Sequence, residues 1–168
     1  MIELYPRAHY VPAALSNTGG PLDRSRVRLF VVHIAQASFL RSIAAWFANP
    51  KAQVSSHFSV GIFGRVNQHV RLSTVAWAQQ DYNDVAISIE HVGYSGRRLT
   101  RLQLRASMKL LRWLHEQFPE VPLHRTNQPG GTGVIGHGEL GLAGGDHPDC
   151  PGTPVLYQFN IALRPRLA

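Results

Sequence analysis

The sequence predicts an α/β domain, a central mixed β-sheet flanked by helices, and three observations carry that reading. Val27 to Ile34 is an apolar, largely β-branched run broken only by Arg28 and His33, the pattern of a buried strand. Two later segments repeat apolar residues at helical spacing, with stop and start signals at their ends. Strand-like and helix-like stretches then alternate to the end of the chain, as they do when helices cover a sheet. At 168 residues and 44% hydrophobic, the chain has the length of one domain, with residues 1–26 as an irregular N-terminal arm rich in breakers such as Pro12 and Gly19-Gly20-Pro21.

The elements follow in order. After the first strand, Ser38 to Phe47 sets Phe39, Leu40, Ile43, Ala44 and Phe47 on a helical face, and Asn49-Pro50 ends it. His57 to Phe63 and Val66 to Leu72 read as strands joined through Gly64-Arg65, and Val85 to Ile89 as another. Thr100-Arg101-Leu102-Gln103 has the form of a capping box, opening a helix that runs to about Phe118. Asn127 to Gly133 is a Gly-rich loop, Val134-Ile135 a short strand, and Thr153-Pro154 an N-cap with proline at the first position of a last helix to about Leu163.

Composition excludes several classes. One cysteine permits no internal disulfide, so core packing or a metal must hold the fold. No apolar run approaches the about 20 residues of a membrane span. Met1 to Arg7 has no basic segment followed by an apolar one, so no secretory signal is expected. With 17 Lys and Arg against 10 Asp and Glu, the net charge of +7 favours polyanionic surroundings. Aromatic and basic residues do not interleave along a strand as base stacking requires, and no nucleic-acid partner is expected.

Four residues carry chemistry. His33 ends the first strand, His137 lies between Gly136 and Gly138, and Cys150 opens Cys150-Pro151-Gly152. Singly, each has a plain alternative: a core histidine, a turn histidine, a small buried hydrophobe. Together they offer two imidazoles and a thiolate, a donor set that suits zinc and leaves its fourth position open. Glu90 ends the apolar strand Val85 to Ile89, where a carboxylate either meets solvent or serves as a general base.

The ordered set Val31-Val32-His33, Ser55-Ser56-His57-Phe58, Ala86-Ile87-Ser88-Ile89-Glu90, Gly136-His137-Gly138-Glu139 and Cys150-Pro151-Gly152 resembles the zinc-dependent N-acetylmuramoyl-L-alanine amidases of type 2, the family related to phage lysozyme-type amidases and peptidoglycan recognition proteins. The resemblance covers roughly residues 27 to 160. It implies a peptidoglycan recognition protein-like amidase fold, one Zn2+ per chain on His33, His137 and Cys150, and catalysis by Glu90. It also implies cleavage of the amide between N-acetylmuramic acid and L-alanine of peptidoglycan.

Some members carry a tyrosine where this chain has Ser56, which leaves the role to Glu90. Many carry Lys or Thr where this chain has Pro148, so help to the oxyanion falls to His147 or to the metal. Asp149 is a rival third ligand, but the Pro-Gly that follows favours Cys150. His57, Trp77, Asn83 and His147 are the candidate substrate contacts, with His91 and the loop Thr126 to Thr132 beside them. The expected form is a monomeric catalytic domain of a phage endolysin held in the host cytoplasm before release. A cytosolic wall-recycling amidase and a non-catalytic peptidoglycan-binding module are the alternatives.

Overall fold

The computed structural model describes residues 2–164. Its main sheet is built from β1 (Ala8–Tyr10), β3 (Leu29–Ile34), β4 (Phe58–Val60), β5 (Val66–Gln68), β7 (Ala86–His91) and β8 (Gly133–Gly136), in the spatial order β1-β5-β4-β7-β3-β8. Only the β4–β5 pair is antiparallel, which makes the sheet mixed as expected. A second, two-stranded sheet pairs β2 (Thr18–Pro21) with β6 (Thr74–Ala76). The helices are α1 (Leu40–Ala48), α2 (Arg101–Gln117) and α3 (Thr153–Ala162).

The two central strands are buried on both faces, and the period of two divides their side chains between two cores. Phe30 and Val32 of β3, with Ile87 and Ile89 of β7, pack against Leu110, Leu111 and Leu114 of α2 and Val155 and Phe159 of α3. Leu29, Val31 and Ala86 turn to the other face, with Ile135 and Leu140. Each large side chain buried this way contributes about 1.5–3 kcal/mol. His33 and Glu90 follow the same alternation, so they project on the face away from α2 and α3.

The capping box of α2 forms as its sequence demands: Thr100 Oγ1 accepts from the Gln103 amide at 3.1 Å, and Gln103 Oε1 accepts from the Thr100 amide at 3.0 Å. Gln103 also donates to the carbonyls of Val60 and Val92, tying the helix to β4 and to the residue that follows β7. Helix α3 starts one residue earlier than expected: Gly152, not Thr153, takes the N-cap position, and Thr153 is the first helical residue.

The N-terminal arm departs from expectation. Residues 1–26 were predicted to be irregular, yet Ala8–Tyr10 pairs in parallel with β5 and Thr18–Pro21 pairs with β6. Both strands are short edges held by backbone hydrogen bonds, so they need no apolar alternation for a sequence reading to find. Asn17 anchors the same arm, donating to the carbonyls of Phe47 and Asn49 at 2.8 Å and closing the end of α1. Strands β4 and β5 are shorter than the periodicity suggested, because backbone pairing stops at Val60 and Gln68.

Candidate metal centre and cleft

Sheet register assembles the site. In the parallel pairing of β3 with β7, His33 stands opposite Glu90, and in the pairing of β3 with β8, Val32 stands opposite Gly136. His137 follows Gly136 directly. Three chemically capable residues therefore reach one row at the carboxyl ends of adjacent strands, where α/β sheets form their crevices. Cys150 arrives from the segment before α3, and the Ile34 amide donates to its Sγ at 3.3 Å.

The turn carrying His137 is locked to the segment carrying Cys150. The Gly138 amide donates to the Cys150 carbonyl. A Cβ on residue 138 would lie 2.6 Å from the His147 carbonyl oxygen and 2.7 Å from that of Pro148, so only glycine permits this approach. The His33 and His137 rings lie 4.3 Å apart between centroids, and His147 stacks on the outer side of His137 at 4.8 Å.

The ligand atoms of His33, His137 and Cys150 all lie within 4.8 Å of one another. Tetrahedral ligands at zinc bond lengths stand roughly 3.4–3.8 Å apart, so this set closes on one ion with small side-chain movements. His137 donates Nε2–H to the Gly144 carbonyl at 2.8 Å, which fixes the tautomer and leaves the Nδ1 lone pair for a metal. His33 Nε2 and Glu90 Oε2 are buried without a hydrogen-bond partner. Two orphaned atoms beside two imidazoles and a thiol are unsatisfied polarity of the kind a cation relieves.

The electrostatics agree. Burial lowers the pKa of His33 well below the usual imidazole range, helped by His137 and His91, with Gln79 pulling the other way. Burial also lowers His137, against the Gly144 bond that raises it. Both rings are therefore neutral, the form that ligates. Burial pushes the Cys150 thiol up to about 12, with the Glu90 carboxylate adding to it, and pushes Glu90 up to about 8. An anion-forming thiol and carboxyl confined together without a positive charge resist ionising, and a divalent cation reverses that.

Around this centre runs a cleft of about 610 Å³. One wall is apolar, formed by Ile43, Trp46 and Phe47 of α1 with Val54; the other carries Ser95, Asp146, His147 and Asp149. Trp77 and His147, expected near substrate, line it, and Glu90 stands in its floor with His33 Nδ1 3.9 Å from Glu90 Oε1. Trp46, half-exposed on α1, was missed by the sequence reading, although its place three residues after Ile43 on the same helical face could have suggested it.

Other candidates lie elsewhere. His57 is fully buried, its ring held between Ser88 Oγ and the Thr74 carbonyl, both at 3.1 Å, so it braces strands rather than touching a ligand. Asn83 Oδ1 accepts from the amides of Ala78 and Gln79 and shapes the loop behind Trp77. His91 is buried between the His33 carbonyl and Ser107 Oγ. The loop from Thr126 to Thr132 does not line the cleft; Arg28 holds it through the carbonyls of Pro129 and Gly131.

The family model for N-acetylmuramoyl-L-alanine amidase matches residues 23–153. N-acetylmuramoyl-L-alanine amidase A of Achromobacter lyticus is 33% identical over 90 residues, 53% of this chain and 49% of that protein. The chain thus spans about half the length of the curated relative it matches. Among solved structures, the selenomethionine derivative of AmpD superposes with a TM-score of 0.73 at 21% identity, covering 98% of this chain and 100% of that one. The endolysin N-acetylmuramoyl-L-alanine amidase LysCS from Clostridium intestinale URNW gives 0.68 at 13% identity, covering 96% and 98%. At such identities these structures share the fold with this chain.

Proposed function

The chain belongs to the type 2 N-acetylmuramoyl-L-alanine amidase family, and from that premise we propose that it hydrolyses the amide between N-acetylmuramic acid and the L-alanine of the peptidoglycan stem peptide. The observation that carries the reading is the convergence of His33, His137 and Cys150 beside Glu90 in the floor of the cleft. A non-catalytic binding module has no use for a buried carboxylate beside a complete ligand set.

Zinc bound by the trio would lower the pKa of a water towards about 7 and polarise a carbonyl oxygen. The chain's own groups do the rest. Glu90 takes the proton of the attacking water and later returns it to the departing L-alanine nitrogen, leaving the lactyl carboxylate on the sugar. Its largely buried position limits access of bulk water and keeps the proton with the reacting groups. The Ile34 amide favours the thiolate form of Cys150, and the Gly144 carbonyl orients His137. His147, whose ring lies against His137 in the cleft lining, is the ring donor we assign to negative charge developing on the carbonyl oxygen, since Pro148 offers none.

The biological role we propose is that of an endolysin catalytic domain. Support comes from the net charge of +7, which suits anionic wall polymers. Among the described residues no helix is long and apolar enough to cross a membrane. Mass spectrometry of digested sacculi tests the reaction: free stem peptides beginning at L-alanine are expected, and cleavage of a glycosidic or peptide bond instead would overturn it. Turnover of intact sacculi, compared with soluble anhydromuropeptides, tests the role; preference for the small fragments would favour wall recycling.

A further inference from the structure

Helix α2 carries a feature that hydrolysis does not use. No acidic residue lies between Glu90 and Glu116, while Arg97, Arg98, Arg101, Arg105, Lys109 and Arg112 do. At 100° per residue, positions 101, 105, 109 and 112 fall within about 80° of arc, on a stripe about 16 Å long, and all four are exposed. Like charges four residues apart destabilise a helix. On the same face only Glu116, at the helix's last turn and four residues beyond Arg112, carries the opposite charge, and the ion pairs among the described residues are Arg26 with Asp84, His33 with Glu90 and Arg125 with Glu139, none of them on this helix.

Apolar side chains stand beside the stripe. The hairpin tip between β4 and β5 is closed by the Gly61 amide on the Arg65 carbonyl and the Gly64 amide on the Gly61 carbonyl, both at 2.8 Å. Thr100 Oγ1 donates to the Ile62 carbonyl, fastening the tip to the first turn of α2. A Cβ on residue 64 would meet the Leu102 carbonyl at 2.9 Å, so the fit is close. The tip is thus held rigidly while Phe63 is 81% and Leu102 51% exposed. Phe63, Leu102, Arg7, Arg105 and Lys109 line one depression of about 420 Å³, which shares no residue with the catalytic cleft.

We propose that this face, the hairpin tip with the basic stripe of α2, docks on an anionic lipid surface. Phosphate headgroups answer the arginines and lysine, and the lipid boundary takes up Phe63 and Leu102, which no soluble polyanion would bury. A solvated basic face accounts for the cations but not for the grouping of Phe63 and Leu102 in one depression with Arg7, Arg105 and Lys109. The inference is independent of the amidase reading, since it rests on other residues.

The test is co-sedimentation of the full chain with vesicles of equimolar phosphatidylglycerol and phosphatidylcholine, against phosphatidylcholine alone. Binding to the anionic vesicles only, weakened by salt, is expected. Phe63→Ser should weaken it about tenfold while leaving hydrolysis of a soluble muropeptide and the melting temperature unchanged. Arg105→Ser with Lys109→Ser should weaken it more than Arg41→Ser with Arg71→Ser, which removes the same charge elsewhere. The proposal is overturned if anionic vesicles are not bound at low salt. It is equally overturned if both charge pairs act alike, or if Phe63→Ser binds like the parent and soluble polyphosphate displaces it.

Discussion

Arg125 Nη2 reaches both carboxylate oxygens of Glu139, at 2.7 and 2.8 Å, two residues beyond the candidate ligand His137. Glu139 Oε2 also accepts from the Gly136 amide at 2.7 Å, and Arg125 Nη1 donates to the carbonyls of Thr126 and Val134. The pair therefore clamps the end of β8 against the turn that presents His137. Breaking a half-buried ion pair by removing one partner leaves the other charge stranded, at a cost of about 3 kcal/mol.

Glu139→Ala should consequently weaken zinc binding by roughly 10- to 100-fold in competition with a chromophoric chelator. Glu139→Gln, which can still accept from Gly136, should recover part of the loss. Equal zinc affinity in all three proteins would reduce the pair to a structural tie.

Cys150→Ala should lose stoichiometric zinc by elemental analysis. Metal uptake also carries a proton signature. Because the thiol stays protonated in the metal-free protein, its pKa pushed up to about 12, coordination must displace that proton at neutral pH. Titrating zinc into the weakly buffered protein should release at least one proton per ion, and the alanine variant should not show that release. Unchanged metal content in Cys150→Ala would remove it from the ligand set.

The candidate metal centre shows how far the sequence alone could go. His33 and Glu90 stood out as polar groups at the ends of apolar runs, whereas His137 and Cys150 drew their meaning from the ordered set and the family it resembles. Their convergence depends on register, His33 opposite Glu90 and Val32 opposite Gly136, which no single strand encodes. The same limit misplaced His57 and His91. A histidine in a strand shows one of two faces, and the choice of face emerges only when Ser88 and Ser107 are seen to take their rings. The short strand Ala8–Tyr10 escaped because an edge pairing satisfied by the backbone leaves no periodic trace.

Glu90→Gln should retain the metal and lose activity on purified cell walls by at least about 100-fold, the usual worth of a general base. The amide is nearly isosteric with the carboxyl and neutral like the buried acid, whose pKa stands at about 8 without a cation, so stability should change little. Undiminished turnover with full zinc content would exclude Glu90 from proton transfer.

Acid should destabilise the metal-free protein through histidines remote from the catalytic step. Burial lowers His57 and His69 from 6.5 to about 4. His69 donates Nδ1–H to the Val11 carbonyl and accepts from Ser59 Oγ at Nε2, both at 2.7 Å, so its neutral form is the one built into the fold. A base whose folded pKa lies below its unfolded value binds more protons when unfolded, so stability rises with pH between the two values. The contribution of each ring is complete above about pH 6.5, declines as pH falls towards 4, and amounts to about 3 kcal/mol at most. His69→Asn keeps a donor for Val11 and removes the titrating ring. Urea midpoints measured in chelator from pH 7 to pH 4 should therefore fall less steeply in the variant than in the parent, and parallel curves would show that His69 does not set the acid limit.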